Sequence, residues 1–329
     1  MRALLLRKDP DLRASLETVP DEQLPPGDVL LDVSHSSLNY KDGLAVTGQG
    51  KIIRGDYPFV PGIDLAGTVA ASESPAWQPG DRVVLTGWGT GEDRWGGYAT
   101  RARADARHLV RLPDALEPAD AMFLGTAGFT AMLSLLALEQ MDVRPESGPV
   151  VVTGASGGVG SVATALLAYA GYEVHAATGS PETHDYLRRL GAAGIVPRAE
   201  LEAGPPAPLA SARWAGAVDS VGGATLAHLV ATMRRHGCIA ACGLAGGHAL
   251  ETTVFPFILR GVVLYGIDSN TSPPGRRERA WARLAEAFAA GALGGIGRTT
   301  IGLADVPEWA GRIVQGRTVG RVVVETKDN

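Results

Sequence analysis

The sequence predicts an α/β protein with a β-rich first domain and a second domain built on a doubly wound parallel sheet. At 329 residues the chain exceeds the ~250–300 residues at which a single core stops growing, so two domains are expected. Short apolar runs separated by Pro, Gly and Asp fill roughly the first third of the chain. Apolar strands then alternate with helical segments, which is typical of a parallel sheet covered by helices on both faces.

Four short strands are predicted in the first part of the chain. Each is an apolar or alternating run, and turn residues such as Pro25-Pro26-Gly27-Asp28 separate them. The runs are Ala3–Leu6, Val29–Val33, Asp64–Ala71 and Arg82–Thr86. Two segments with helical apolar spacing, Leu116–Met122 and Thr130–Leu138, follow them and mark the change in character towards the second domain.

The second domain is predicted from its alternating strands and helices. The strands are Val150–Thr153, Glu173–Ala177, Ala215–Val218, Cys238–Ala241 and Val262–Tyr265. The helices are Ser161–Ala170, Pro181–Leu190, Leu226–Arg235 and Arg277–Ala290. The last apolar run, Val319–Val324, predicts a strand that returns to the first domain, so that domain is expected to be discontinuous.

Composition and charge exclude several classes of partner. The chain carries 30 basic and 35 acidic side chains, and this net charge of −5 argues against a nucleic-acid-binding face. The apolar run in Met1–Leu6 is too short for a signal peptide, and no stretch approaches the ~18 apolar residues of a membrane span, so a soluble, cytoplasmic protein is expected. Cys238 and Cys242 lie about 13 Å apart along a predicted strand, too far for a disulfide, and are expected to be small core residues.

The strongest motif is the glycine-rich segment Gly154–Gly160, which lies between a predicted strand and a predicted helix. Gly154 permits a tight turn, while Gly157 and Gly158 let the backbone approach a pyrophosphate. Gly160 lets the helix pack closely on the sheet, and the free N–H groups at the helix N-terminus attract the anion. The spacing GxxGxxG departs from the commoner GxGxxG, but its position after a strand predicts a dinucleotide site.

The end of the second strand favours NADP over NAD. NAD sites usually place an acidic residue about 20 residues past the first glycine, where it binds the ribose hydroxyls. Here that place reads Thr178-Gly179-Ser180, with no acid and with two hydroxyls that can donate to a phosphate. Arg198, after the next short strand, is either the cation that binds the 2′-phosphate or a solvated surface charge.

Further segments, spread over essentially the whole chain, resemble one family. The segments that carry the resemblance are Ser37–Asp42, Val60–Gly67, Leu85–Gly89, Trp95–Gly97, Gly125–Ala131, Gly154–Gly160, Ala240–Gly247, Phe257–Arg260 and Gly266–Ser269. The more specific ones are Asn39-Tyr40-Lys41-Asp42 and Gly125–Ala131. The sequence resembles the NADPH-dependent acrylyl-CoA reductases, in the quinone-oxidoreductase branch of the zinc-independent medium-chain dehydrogenase/reductase superfamily.

The resemblance implies a fold and a set of cofactor contacts. It implies a GroES-like domain over residues 1–123, a Rossmann NADP-binding domain over 124–265, and a return to the first domain over 266–329. The residues it implies at the nucleotide are Tyr40, Thr126, Ser156, Gly157, Gly158, Val159, Thr178, Gly179, Ser180, Arg198, Leu244, Ile258 and Ser269. Thr126 has two alternatives, a contact on the nicotinamide side and a cap of the following helix. Relatives can carry an arginine where this chain has Ser180, which makes the 2′-phosphate more dependent on Arg198.

No metal is expected in the active site. The zinc-dependent branch of the superfamily uses Cys and His ligands, including a Gly-His-Glu motif. The corresponding place here reads Gly62-Ile63-Asp64, and no cysteine precedes Cys238. A catalytic zinc would therefore lack its thiolate and imidazole ligands.

The reaction implied by the resemblance is the NADPH-dependent reduction of the double bond of acrylyl-CoA to propanoyl-CoA; the alternative is reduction of a quinone or another enone. Tyr40 is the catalytic candidate, and three roles stay open for it: a bond to the cofactor ribose, stabilisation of the substrate oxyanion, or proton relay. The alternative is that Tyr40 only packs under the ring and has no chemical role. Coenzyme A phosphates require cationic partners. The candidates are Lys51, Arg54, Arg276 and Arg277.

A homodimer is also expected, because the family commonly pairs Rossmann domains edge to edge. Val262–Tyr265 is an apolar candidate for the edge strand that such pairing would cover. The alternative is that this strand is central in its sheet and has no role in an interface.

Overall fold

The structure is a computed structural model that describes residues 1–204 and 207–327. Its strands are β1 (Arg2–Lys8), β2 (Leu12–Thr18), β3 (Val29–Leu38), β4 (Asp64–Ser72), β5 (Arg82–Thr86), β6 (Arg101–Ala104), β7 (Val110–Arg111), β8 (Val150–Val152), β9 (Val174–Thr178), β10 (Gly194–Pro197), β11 (Trp214–Asp219), β12 (Met233–Ala241), β13 (Val263–Gly266), β14 (Arg298–Gly302) and β15 (Arg321–Glu325). Its helices are α1 (Tyr40–Thr47), α2 (Pro118–Gln140), α3 (Gly158–Tyr169), α4 (His184–Arg189), α5 (Arg198–Glu202), α6 (Gly223–Thr232), α7 (Phe255–Arg260), α8 (Pro274–Ala289) and α9 (Val306–Val314).

Two compact units make up the chain. Unit 1 comprises Met1–Thr126, Ser269–Ala285 and the chain from Gly297 onward, and unit 2 comprises Ala127–Asp268 and Glu286–Ile296. The limits expected from the sequence, after residues 123 and 265, fall close to these internal limits after residues 126 and 268. Residues 286–296 belong to unit 2, whereas the sequence-based limits assign them to the C-terminal return.

Unit 1 is built on a sheet with the strand order β14-β15-β3-β4-β5-β7, in which β6 also pairs with β3. The strand β15 pairs antiparallel with β3, with Val322 opposite Leu38. This pairing confirms the prediction that the end of the chain returns to the first domain. Leu4, Leu38 and Val324 belong to the core cluster of this unit, which is therefore formed by both ends of the chain.

Unit 2 contains a six-stranded parallel sheet with the order β10-β9-β8-β11-β12-β13. In order of appearance these strands read 3-2-1-4-5-6, the Rossmann arrangement, so the predicted fold class is confirmed. Ligands in such sheets bind beyond the carboxyl ends of the strands, where the strand order reverses. That reversal lies between β8 and β11, which carry the glycine turn and Asp219 at their ends.

The strand predicted at Val262–Tyr265 is β13, and it lies at one edge of the unit 2 sheet. Within the described residues it pairs with β12 alone, Leu264 opposite Ile239. The alternative of a central strand is therefore excluded.

The predicted helical segments Leu116–Met122 and Thr130–Leu138 are one element, α2, which is bent at Gly125. The backbone of Gly125 has φ 51° and ψ −156°, a conformation that residues with a Cβ atom rarely adopt. The apolar pattern is visible on both sides of the bend, but the continuity of the two segments could not be predicted from the sequence.

The helix α2 also corrects the expectation that no stretch is long enough to span a membrane. Its 23 residues are long and apolar enough by length and composition, with a mean hydropathy of 1.8 in the most apolar window. That window is 94% buried inside the protein. The apolar composition of α2 therefore serves packing within the folded chain.

Several short elements were not predicted. They are the strands β2, β6, β7 and β14 and the helices α1, α5, α7 and α9. The strand β2 shows the reason, because its side chains are mostly polar and partly exposed. It forms by pairing with β1, with Leu16 opposite Leu4, and this contact cannot be read from either segment alone.

Candidate active site

The glycine turn of unit 2 has the geometry of an anion-binding site. Gly154 has φ +57°, and the N–H of Gly157 donates to the carbonyl of Gly154 at 3.0 Å. A Cβ atom on Gly160 would lie 2.2 Å from that same carbonyl, so only glycine permits this close packing. The helix α3 begins at Gly158 without a side-chain cap, so its first N–H groups are available to a phosphate. Ser156 and Val159 lie in the same half-exposed stretch.

A buried carboxylate supports this turn. Asp219, at the end of β11, accepts a hydrogen bond from the hydroxyl of Thr153 at 2.6 Å. It also accepts from the N–H groups of Val221 and Gly222 at 3.2 and 2.9 Å. The hydroxyl of Ser220 donates a hydrogen bond to the carbonyl of Thr153 at 3.0 Å. Burial raises the pKa of Asp219, and these donors act in the opposite direction. The sequence analysis missed this residue.

The end of β9 brings Thr178, Gly179 and Ser180 next to Arg198. Pro197 of β10 lies opposite Thr178, so Arg198 emerges at the same edge of the sheet. A Cβ atom on Gly179 would lie 2.7 Å from Nε of Arg198, which places the guanidinium directly on this glycine. Arg198 is 60% exposed, and its Nε also contacts Oε1 of Glu202 at 3.2 Å. A cation and two hydroxyl residues therefore meet at the point that the sequence assigns to the 2′-phosphate.

Leu244 and Ile258 are apolar but lie on the surface of unit 2. Their exposed fractions are 65% and 69%. Leu244 follows β12, and Ile258 lies in the short helix α7. Ser269 is part of unit 1, and its carbonyl accepts a hydrogen bond from the buried Arg277 at 3.1 Å.

In unit 1, the candidates Tyr40 and Thr126 are held by a buried polar cluster around Asp64. The Asp64 carboxylate accepts from the hydroxyl of Ser37 at 2.5 Å and from the side-chain amide of Asn39 at 2.9 Å. It also accepts from the N–H of Thr126 at 2.8 Å and from the Thr126 hydroxyl. Asp64 is fully buried, so these four donors replace the water that a carboxylate needs.

Arg321 and Gly125 complete this cluster. Arg321 is 2% exposed, and its Nε donates to the carbonyl of Phe123 at 2.8 Å. Burial lowers the pKa of Arg321, while the charges of Asp64 and Asp42 act in the opposite direction. A Cβ atom on Gly125 would lie 2.6 Å from Oδ2 of Asp64 and 3.0 Å from Nη2 of Arg321. The bend in α2 therefore requires glycine because the chain passes directly against this charged pair.

Asp42 caps the helix α1. Its Oδ2 accepts from the N–H of Asn39 at 2.9 Å, and its Oδ1 accepts from the N–H of Ile63 at 2.9 Å. Burial, together with the charge of Asp64, raises the pKa of Asp42 to about 7. Tyr40 is the first residue of this helix and is 43% exposed, so the cap holds its backbone while its ring lies at the surface.

The cationic residues considered for coenzyme A phosphates have different environments. Arg277 is 2% exposed and donates from Nη1 to the carbonyl and the hydroxyl of Thr86, both at 2.7 Å. It is a structural residue, so its assignment as a phosphate ligand was wrong. Arg54 is half-exposed and pairs with Glu92 at 2.8 Å and with Asp93 at 3.1 Å.

Comparison with known proteins places the chain in a family. Residues 25–114 match the alcohol dehydrogenase GroES-like domain, and residues 158–287 match the model described as zinc-binding dehydrogenase. The acrylyl-CoA reductase AcuI of Ruegeria pomeroyi is 49% identical over 98% of both chains. A protein of Escherichia coli K12 with the name probable acrylyl-CoA reductase AcuI is 51% identical over 99% of both. This chain belongs to the acrylyl-CoA reductase family. It thereby falls within the medium-chain dehydrogenase/reductase superfamily.

Solved structures similar to this family member carry nicotinamide nucleotides. The yhdH oxidoreductase of Salmonella enterica, in complex with NADP, is 52% identical and has a TM-score of 0.96, covering 99% of this chain and all of that one. The yhfP protein of Bacillus subtilis, with NAD bound, is 42% identical and has a TM-score of 0.94, covering 98% of each chain.

The zinc-binding dehydrogenase match covers residues 158–287 of this reductase-family chain, which belong mostly to unit 2. Within residues 1–204 and 207–327 no group of three or more His, Cys, Asp or Glu side chains is arranged to hold a metal ion. At the Gly62-Ile63-Asp64 position, the carboxylate of Asp64 accepts hydrogen bonds from Ser37, Asn39 and Thr126.

Proposed function

We propose that this protein uses NADPH to reduce the carbon–carbon double bond of acrylyl-CoA, which gives propanoyl-CoA. The observation that carries the proposal is the identity of 49–51%, over essentially the full chain, with relatives that bear the name acrylyl-CoA reductase. The geometry of unit 2 independently supports the use of a nicotinamide nucleotide, because a turn suited to phosphate binding lies at the carboxyl end of its parallel sheet.

The residues of unit 2 fit a dinucleotide with a 2′-phosphate. The uncapped start of α3 offers N–H groups of Gly158 and Val159 to the pyrophosphate, and the glycines leave room for the close approach. The hydroxyl of Ser180 and the guanidinium of Arg198 bind the 2′-phosphate. Bound NADPH supplies the hydride. Leu244 and Ile258 provide exposed apolar surface that the nucleotide covers.

The polar residues of unit 1 provide hydroxyls for the substrate side. Hydride addition to an enoyl thioester leaves negative charge on the carbonyl oxygen, and a proton must reach the neighbouring carbon. The hydroxyl of Thr126 donates to Asp64, so towards a ligand it acts as an acceptor. The hydroxyl of Tyr98 is buried and donates to the carbonyl of Ser37 at 3.1 Å. Tyr40, at the surface of the same cluster, is the hydroxyl that we assign to the cofactor ribose and to the developing charge.

A quinone or enone oxidoreductase is the second candidate function. A chloroplastic quinone oxidoreductase of Triphysaria versicolor is 31% identical over 52% of this chain. The two functions share the cofactor site and differ in the acceptor, so relative turnover of acrylyl-CoA and a simple quinone separates them.

We further propose a cytoplasmic homodimer. The dimer is supported by the edge position of β13, which leaves one row of backbone N–H and C=O groups without a partner strand. Val254, Phe255 and Leu259 add exposed apolar surface on unit 2.

The dimer proposal predicts twice the chain mass of 34.2 kDa in solution. Sedimentation at micromolar concentration measures it. Because an edge strand pairs through its backbone, Leu264→Pro in β13 is expected to shift the mass towards the monomer. Pro removes one N–H from the edge, and a wild-type protein that sediments as a monomer would contradict the proposal.

The proposed function predicts that acrylyl-CoA is reduced faster than a simple quinone. The cofactor assignment predicts that NADPH is preferred over NADH by at least about tenfold in kcat/KM, or about 1.4 kcal/mol. Arg198→Ala is expected to raise KM for NADPH by about tenfold and to leave NADH use nearly unchanged, because only the 2′-phosphate loses its partner. Initial rates of NADPH and NADH consumption measure both effects.

The matched control for Arg198 is Arg188→Ala. Arg188 is 61% exposed and pairs with Asp185 in the same unit, as Arg198 pairs with Glu202. It should behave as wild type with both cofactors. Equal use of NADH and NADPH by the wild-type enzyme would remove the NADP assignment, and equal losses with both cofactors in Arg198→Ala would indicate damage to the fold.

The assignment of Tyr40 predicts a mixed effect of Tyr40→Phe, led by the cofactor contact. Loss of one hydrogen bond is expected to weaken NADPH binding by about fivefold and to lower kcat with acrylyl-CoA to a smaller extent. If the hydroxyl serves the oxyanion instead, kcat falls by about 10²–10³ and NADPH affinity is retained. Tyr57→Phe, a comparably exposed tyrosine of unit 1, is the control. Wild-type kcat and wild-type NADPH affinity in Tyr40→Phe would exclude Tyr40 from the site.

A further inference from the structure

Unit 1 contains an open pocket of about 760 Å³ whose charged lining residues are three arginines and one aspartate, Asp93. Its volume lies in the range of ligand-binding clefts. Three arginines from separate segments of the chain reach it, and two stacked rings and a loop amide form part of its wall. These residues are Arg54, Arg94, Arg107, Trp88, His108 and Asn270.

The wall of this pocket is rigidly built. Trp88 adopts a φ of 57°, which is uncommon for a bulky residue, and its N–H donates to the carbonyl of Asn270 at 3.0 Å. The N–H of Gly89 donates to the side chain of Asn270 at 3.2 Å. The buried Arg277 binds Thr86 and also the carbonyl of Asn270, at 3.2 Å. Two distant stretches of the chain are thereby joined into one surface.

The stacked rings lie in a positive environment. The rings of Trp88 and His108 are 4.6 Å apart and 8° from parallel. Burial lowers the pKa of His108; the charges of Arg94, Arg107 and Arg277 act in the same direction, and Asp105 opposes them. Three guanidinium groups and the carboxylate of Asp105 therefore act on the ring of His108.

The arginines are partly neutralised but retain donors. Arg94 and Arg107 share one carboxylate, Asp105, at 3.5 and 3.1 Å, and Arg54 binds Glu92 and Asp93. A guanidinium has five N–H donors, and these three side chains are 52%, 48% and 75% exposed for Arg54, Arg94 and Arg107. In a chain of net charge −5, such a concentration of exposed guanidinium groups in one pocket favours a ligand with several negative charges.

We propose that this pocket binds the phosphates at the nucleotide end of a coenzyme A thioester. The inference rests on the proposed function and names the part of the substrate that unit 1 recognises. The pocket is connected to the N-terminus of α1 by Glu92, whose carboxylate contacts Lys41 at 2.9 Å and Arg54 at 2.8 Å. Lys41 follows Tyr40, so one buried carboxylate joins the phosphate-binding arginines to the helix that carries the candidate hydroxyl.

The experiment compares the double variant Arg94→Ala/Arg107→Ala with the wild-type enzyme on two thioesters. Acrylyl-CoA carries the phosphates, and acrylyl-N-acetylcysteamine carries the same reacting group without them. The variant is expected to raise KM for acrylyl-CoA at least about tenfold, because charge-assisted hydrogen bonds are lost. KM for the truncated thioester should change less than about twofold, and calorimetry with adenosine 3′,5′-bisphosphate should show the same loss of affinity.

The control is Arg111→Ala. Arg111 is 61% exposed, pairs with Asp81 and lies in the same unit but outside the pocket lining. Unchanged KM for acrylyl-CoA in the double variant, or equal losses with both thioesters, would overturn the pocket assignment. If the wild-type enzyme reduces neither thioester, the proposed function fails, and the bisphosphate titration alone decides the pocket. Wild-type affinity for the bisphosphate in the double variant then overturns it.

Discussion

The carboxylate of Asp64 is the point at which the segments of unit 1 that carry candidate site residues are joined. It binds Ser37 at the end of β3, Asn39 at the cap of α1 and Thr126 just after the bend of α2. The buried Arg321 from the last strand offsets its charge, which explains why the chain must return to this unit. A buried charge is tolerated only when it is bonded and balanced, so the position of each of these segments depends on the others.

A buried carboxylate has the same role in unit 2, next to the proposed dinucleotide site. Asp219 binds Thr153 and two loop N–H groups, and it thereby holds the ends of β8 and β11 where the strand order reverses. In both units the buried carboxylate is hydrogen-bonded to groups of the protein and holds them in place. The contacts proposed for cofactor and substrate belong to more exposed groups such as Tyr40 and Arg198.

The sequence alone predicts the features that depend on residues close together in the chain. The glycine turn and the alternating strands and helices of unit 2 depend on residues a few positions apart. It was insufficient where residues far apart in the chain meet. Asp64 was considered only as a missing zinc ligand, because its partner Arg321 lies more than 250 residues away. Arg277 was considered as a phosphate ligand because burial cannot be read from the residue type alone. Arg94 and Arg107 were not considered, because they come together at Asp105 only in the folded chain.

The most direct test of this account is the variant Asp64→Asn. The account predicts that unit 1 loses about 3–5 kcal/mol of stability, because Arg321 keeps a buried charge without its full counter-charge. At a temperature where the variant is folded, kcat with acrylyl-CoA should fall by about 10²-fold as Tyr40 and Thr126 lose their fixed positions. Binding of adenosine 2′,5′-bisphosphate, the ligand proposed for the Arg198 site of unit 2, should be unchanged. A folded Asp64→Asn enzyme with wild-type kcat would contradict the account.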